Sequence, residues 1–319
     1  MKQQRGAAIL TAMLLVALVT VVISTAFWLQ WRAFQTESLF RTRVQSQWLH
    51  QGAIDWARLV LSEDARVSIV DHLGEPWRLL LQDAELSDFI SSSAEQEPEI
   101  QKASLSGRIS DLQSRLNVLN LVQDGKVHVP TLQAFRRLFV LLRLPEHELV
   151  VMVDKLQAAL ATPSDSTDKP VGKTVRPLLP RSTVHLGWLG LSADTITRMM
   201  DHVVILPERT QVNLNTASSL VLQACIPGLN LGGASHLIQL RTQKFFRTIP
   251  EILQISGFAG LSLSLSTEMH SVSTRYFEVL TQLNLRGVST QVRTRLLRDG
   301  QKVKVLWITR EGTKLSTIR

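Results

Sequence analysis

The chain has 319 residues, 45% hydrophobic and 19% charged, with 16 Gly and 11 Pro, which excludes disordered, collagen-like and low-complexity chains. Its one cysteine, Cys225, excludes an intrachain disulfide and any cysteine-built zinc or iron–sulfur centre. The net charge of +8 does not by itself point to nucleic acid, because residues 63–124 carry −7 and residues 269–319 carry +7, and these blocks can satisfy each other.

The 26 residues between Arg5 and Arg32 contain no charge, enough for a membrane span of about 20 residues. Ser24-Thr25-Ala26 leaves open the alternative of a cleaved export signal. Beyond the apolar stretch, Phe40, Val44, Trp48, Trp56 and Val60 recur at multiples of four and predict the stripe of an amphipathic helix. No proline precedes Pro76, so nothing forces a break between Ala8 and Ser62. Two arrangements fit: an anchor followed by a separate helix, or one helix of roughly 80 Å whose outer half packs on a globular head.

Further along, Leu105–Leu112 predicts a strand, with Asn117 and Asn120 as turn or cap residues. Residues 131–160 read as two helices with Phe135, Leu138, Leu142, Leu149, Met152, Val153 and Leu156 inward. Thr162–Thr183 is Pro-, Ser- and Thr-rich and predicts a loop. The stretch Leu186–Val204 reads as helical around Ala193–Met200. A short helix at Ser218–Cys225, N-capped by Asn215 or Thr216, a turn at Ile226–Asn230 and a helix at Gly233–Gln243 form a helix-hairpin-helix of SAM-like type.

The last 50 residues turn to strand, with Asp299-Gly300 as the hairpin turn. That turn places Leu296 opposite Val303, Thr294 opposite Val305 and Val292 opposite Trp307. The other face then opposes Arg295 to Lys304 and Leu297 to Lys302. It gathers Arg293, Arg295, Lys302 and Lys304 into a basic stripe that calls for an acidic surface, the chain's own or a partner's.

The expected fold is α+β: a long N-terminal transmembrane helix (7–62) packed on an antiparallel sheet (63–120 and 269–319), with an inserted all-α SAM-like, helix-hairpin-helix domain at 121–268. No catalytic site is expected. The eight histidines are scattered, and no nucleophile elbow or phosphate-binding glycine loop is present. Cys225 reads as a buried structural thiol, and His147 between Glu146 and Glu148 as a solvated helix start.

The leader Met1–Gly6 followed by Ala7-Ala8-Ile9-Leu10 resembles a prepilin-peptidase site. Asp111–Asn117 with Asn120-Leu121, Glu75-Pro76-Trp77 and Ser273-x-Arg275-Tyr276-Phe277 are similar to stretches of the minor pseudopilin K family of type II secretion systems. The resemblance implies cleavage between Gly6 and Ala7 by prepilin peptidase, with methylation of the new amine. It also implies an inner-membrane anchor with a periplasmic head, and a place at the tip of the pseudopilus with minor pseudopilins I and J above the major pseudopilin. Thr11 stands where most pilin-like chains carry a glutamate, a departure that is the K family's pattern. Phe27, Trp28 and Trp31 suit the outer membrane interface.

The family's calcium-binding segment is degenerate here. Only Asp154 aligns, and Asp165 and Asp168 lack a ligand spacing, so no metal or other cofactor is expected. The Asn213–Gly233 stretch also resembles the helix-hairpin-helix of DNA-uptake receptors. This leaves a membrane-anchored, competence-type DNA-binding protein as the alternative, with Arg241, Lys244 and Arg247 as its cations.

Overall fold

Arg5–Val67 forms one unbroken helix, α1, of 63 residues, about 95 Å long at 1.5 Å per residue. The structure is a computed structural model. It describes residues 5–78, 81–85, 104–161, 177–255, 265–285 and 288–315, with backbone alone at 5–6, 81–85 and 312–315. The leader residues 1–4, most of the predicted 162–183 loop, Asp165 and Asp168 fall outside these residues. The apolar part of α1 has an 18-residue window of mean hydropathy 2.7, none of it covered by protein. Hydroxyls in this part bond to their own helix: Thr11 Oγ1 donates to the carbonyls of Ala7 and Ala8, and Thr25 Oγ1 to those of Val21 and Val22. The three threonines of this part thus satisfy their hydroxyls within the helix.

The face of α1 that packs on the head differs from the predicted stripe. Thr42, Ser46, His50, Ile54, Ala57, Leu61 and Asp64 are buried, at steps of three and four. Phe40, Trp48 and Trp56 are 65%, 73% and 45% exposed. Small and hydroxylated residues let the helix lie close to the sheet, and the large aromatic residues are left outside.

The sheet has five antiparallel strands in the order β1 (Leu81–Glu85), β2 (Ser104–Asp111), β9 (Tyr276–Leu285), β10 (Val288–Asp299) and β11 (Lys302–Leu315). α1 crosses one face. Ile54, Ala57 and Leu61 meet Trp77, Ile109, Phe277, Val279, Leu296 and Val303, and Trp77 stands edge-on to Phe277 at 5.4 Å. The β10–β11 hairpin corrects the predicted register. Asp299 pairs with Lys302, so the turn residues are Gly300 and Gln301, and Gly300 takes φ +57. Glycine in the first turn position fits a II′ turn. An irregularity between Arg295 and Leu296 then sets Leu296 opposite Val305 and Arg295 opposite Trp307. The opposed like charges Arg295 and Lys304 do not form.

His50 reaches the sheet from α1, with Nδ1 2.7 Å from Thr281 Oγ1 and Nε2 2.9 Å from Thr290 Oγ1. Burial, helped by the Arg310 charge, pushes its pKa down to about 4. The unfolded chain, at about 6.5, binds more protons than the folded one between these values. Stability from the neutral ring is therefore complete above pH 6.5 and lost as pH falls towards 4. Thermal unfolding at stepped pH should show an acid loss of up to about 3 kcal/mol over this window in the parent. That loss should be absent from His50→Gln.

Between β2 and β9 runs a unit with the largest core in the chain. In order it holds β3 (Leu116–Asn117), β4 (Val122–Gln123), β5 (Lys126–Val127), α2 (Val129–Leu141), α3 (Glu146–Leu160), α4 (Ala193–Met199), β6 (Val203–Val204), β7 (Val212–Asn213), α5 (Ser219–Cys225), α6 (Leu231–Gln243), α7 (Ile249–Leu253) and β8 (His270–Ser271). Phe135, Leu138, Phe139, Leu149, Met152 and Leu156 from the α2–α3 pair share one core with Val221 and Leu222 of α5, which packs on α2. Three short strand pairs, β3–β6, β4–β5 and β7–β8, edge this helical unit. Val203-Val204, read in the sequence as the end of a helix, instead pairs in parallel with Leu116-Asn117. The cap of α5 is Ser218, whose side chain accepts from Val221 N, and not Asn215 or Thr216. Cys225 is buried in α5, its thiol pushed up to about 12 by burial.

Candidate functional site

The cleavage site expected from the sequence, Gly6-Ala7, sits at the start of α1. The backbone at Gly6 is helical, Ala7 is exposed, and Thr11 is turned back on its own turn. At the other end of the span, Arg32 lies over Trp28 at 5.6 Å, a cation held against an interfacial ring. The first buried residue of the head side is Thr42. The ten helical steps from Arg32 to Thr42 therefore make a neck of about 15 Å, with Phe34, Leu39 and Phe40 exposed. Above it, Trp48, Trp56 and Leu59 continue an apolar outer face on α1. No described part of the chain covers this face, which is the geometry of a helix that packs against other helices.

The predicted basic stripe is divided by the structure. Arg293 is held by Glu278 at 2.8 Å and by Glu311 at 2.9 Å. Arg295 is half-buried, 3.9 Å from Glu278, and donates to the carbonyls of Arg181 and Ile205. Arg293 thus links three strands of the sheet, and Arg295 binds the sheet to the inserted unit. Lys302 and Lys304 are exposed and make no ion pair among the described residues.

The polar centre of the head was not anticipated from the sequence. Arg298, on β10, donates from Nη1 to Asp64 of α1 at 2.9 Å, and from Nη2 to Asp71 and to the Thr274 carbonyl. Asp71 also accepts from Thr274 N at 2.7 Å, and its carbonyl accepts from Asn213 Nδ2 at 3.1 Å. Asn213 Nδ2 and Thr216 Oγ1 both donate to Asp111, which also caps Gln113 N. The network ties α1, β2, β10 and the inserted unit through buried groups. Burial pushes the pKa of Asp71 up to about 6 and that of Glu75 up to about 7, while Arg298 pulls Asp71 the other way. The sequence signal was the short Asp/Asn/Thr residues set among apolar ones at 111–120 and 212–216.

Asp64, Asp71 and Glu75 form the one cluster of three acids among the described residues that is tight enough to share an ion, with ligand atoms within 4.8 Å. Arg298 already supplies the positive charge there, and four of the six carboxylate oxygens already accept from Arg298, Thr274 N, His72 N or Trp77 Nε1, which leaves too few for the 6–8 that calcium requires. Asp154 stands exposed on α3 outside that cluster. The described residues do not fit a calcium site.

The helix-hairpin-helix uses its own polar groups. Arg241 is half-buried and donates to the Leu214 carbonyl at 2.6 Å, its pKa pushed down to about 10 by desolvation. Lys244 pairs with Glu251 at 3.4 Å, and Asn230 caps Gly233 N at 2.8 Å. Two of the three cations proposed for phosphate are thus engaged within the fold. Asn215 binds both the N–H and the carbonyl of Phe246, fixing the segment after α6.

The family model of type II secretion system protein K matches residues 212–273, from β7 to just past β8. Type II secretion system protein K of Pseudomonas aeruginosa is 27% identical over 326 residues, covering 97% of this chain and 92% of that one. The protein of the same name from Pectobacterium carotovorum subsp. carotovorum is 23% identical over 333 residues, covering 95% of each. The fold matches the crystal structure of the GspK-GspI-GspJ complex of the enterotoxigenic Escherichia coli type 2 secretion system, with a TM-score of 0.62 and 18% identity. That match covers 85% of this chain and 99% of the other. The likeness to protein K read from the leader and the short motifs thus extends over nearly the whole chain. It bears out the α+β fold, and it gives the DNA-uptake alternative no support.

Proposed function

We infer that this chain is a minor pseudopilin of a type II secretion system, the subunit that caps the pseudopilus and primes its assembly. The observation that carries this is one helix that passes unbroken from a bare apolar span into a head, together with near full-length likeness to protein K. The span anchors the chain in the inner membrane with the head in the periplasm. The outer face bearing Trp48, Trp56 and Leu59 meets the helices of minor pseudopilins I and J. That partnership is supported by the complex in which the structurally similar GspK was solved. The major pseudopilin adds below.

Thr11 supports the terminal position. Its hydroxyl is satisfied within its own turn, so the helix carries no buried carboxylate in search of a neighbouring subunit's amine, a charge that would be costly in lipid. The function is one of assembly and needs no chemistry at the head. Prepilin peptidase is the expected processing partner.

Intact mass of the mature protein from its native host tests this reading. A mass starting at methylated Ala7 is the expected result, whereas a start at Phe27 would mark an ordinary exported protein and overturn it.

A further inference from the structure

β11 is the edge strand of the sheet, hydrogen-bonded on one side to β10. Its beginning is guarded: Ser62 Oγ donates to the Gln301 carbonyl at 2.8 Å and Arg58 Nε to that of Val303 at 3.0 Å, both from α1. Beyond that point α1 diverges. Val305, Leu306, Trp307 and Ile308 are then 38%, 41%, 44% and 42% exposed in succession. A long apolar edge of this kind is one that soluble proteins normally cover or charge.

Each face of this stretch opens onto a cavity. On the α1 side a groove of about 600 Å³ lies between Leu39–Ile54 of the helix and Val292, Ile308 and Arg310 of the sheet. On the other side a cavity of about 410 Å³ is lined by Leu306 and Trp307 with Pro180, Arg181 and Ile205 of the inserted unit. A free edge flanked by one cavity per face is the arrangement that strand addition uses: the backbone supplies affinity, and alternate side chains enter opposite pockets.

Charge selects the occupant. Lys302 and Lys304 precede the apolar run and Arg310 follows it, and none makes an ion pair among the described residues. In an antiparallel self-pair centred on Leu306, Lys302 would face Arg310, which is unfavourable. A second copy brings the same basic residues to this edge in that register, and a segment with acids at both ends is the better complement to Lys302, Lys304 and Arg310. We propose that the edge of β11 from Lys304 to Glu311 takes up an extended segment of a different protein, apolar at alternate positions and acidic at both ends.

The test uses the full chain in lipid nanodiscs and a short synthetic peptide alternating Val and Thr, with two Glu at each end. At millimolar peptide, amide hydrogen exchange within 304–311 should slow by roughly tenfold or more. The same peptide N-methylated at alternate amides should give no protection. The double variant Lys302→Glu/Lys304→Glu should weaken the effect of the parent peptide by roughly tenfold. Absence of protection overturns the proposal, as does equal protection by the methylated peptide or indifference to charge reversal. Protection in the chain alone that grows with its concentration would identify a second copy as the occupant, and also overturns it.

Discussion

Arg298→Met is expected to destabilise the head by about 3–5 kcal/mol, the cost of leaving buried charge without its partner. The guanidinium is buried between Asp64 and Asp71, donates to the Thr274 carbonyl at 3.0 Å, and lies 4.8 Å from the Phe277 ring. Methionine retains the apolar contact with Phe277 and removes every charged bond. In the parent, burial already raises Asp64 and Asp71, and Arg298 opposes the rise. Without it both carboxyls rise further above the ordinary carboxylate range of about 3.9. The folded variant then binds more protons than the unfolded chain between that range and the raised values. Its stability increases as pH falls from 7 towards 5.

This slope is opposite to the one His50 imposes, and His50 is present in both proteins. The quantity to plot is therefore the difference between variant and parent unfolding free energies against pH. It should shrink on acidification, and adding Asp71→Asn should recover part of the loss at pH 7. A difference that is small at pH 7, or flat with pH, would show that the arginine is not the charge partner the geometry makes it.

The long helix and the strands were legible because their signals are local. A proline-free run sets the length of α1, and Val-, Leu- and Thr-rich segments bounded by Gly300 set β10 and β11. The buried face of α1 was not legible. The aromatic residues at 40, 48 and 56 dominate any count of hydrophobic spacing, yet the sheet accepts the Thr42–Ser46–His50 side. Close approach, and the hydroxyls of Thr281 and Thr290, outweigh side-chain size there. The hairpin register turned on whether Asp299-Gly300 or Gly300-Gln301 makes the turn, a choice that Asp-Gly statistics decide wrongly here. Glu278, which neutralises Arg293, stands opposite Arg295 on the neighbouring strand, so its role needs the β9–β10 register to be seen. The Arg298 network is harder still. Its members are 227 and 234 residues apart in the chain, and each alone reads as a solvated surface charge.

The same network predicts a second large effect, at the joint between head and inserted unit. Asp111→Ala should cost about 2–4 kcal/mol, combining a lost cap with lost hydrogen bonds to a buried carboxylate. Asp111 ends β2. Its Oδ1 caps Gln113 N at 2.6 Å, and its Oδ2 accepts from Asn213 Nδ2 at 3.0 Å and from Thr216 Oγ1. Gln113, placed by that cap, spans the joint in turn: its Oε1 accepts from Arg275 N at 2.7 Å and its Nε2 donates to the Gln211 carbonyl at 3.1 Å. Alanine thus leaves Thr216 with only a long bond to the Asn213 carbonyl at 3.4 Å and Asn213 Nδ2 with only the Asp71 carbonyl, and it frees Gln113, so the damage concentrates where the two units meet.

Amide exchange in 212–216 and 274–276 should accelerate by tenfold or more, about 1.4 kcal/mol per decade, while the α2–α3 core keeps its protection. Asp111→Asn should be milder, since one oxygen still caps Gln113 and Thr216 can turn its hydroxyl to accept. On the proposed role at a pseudopilus tip, Asp111→Ala should reduce secretion without changing where the mature chain starts. Equal exchange in parent and variant at both segments would mean that the joint is held by apolar packing of Leu112, Val204, Leu206 and Tyr276, with the carboxylate incidental.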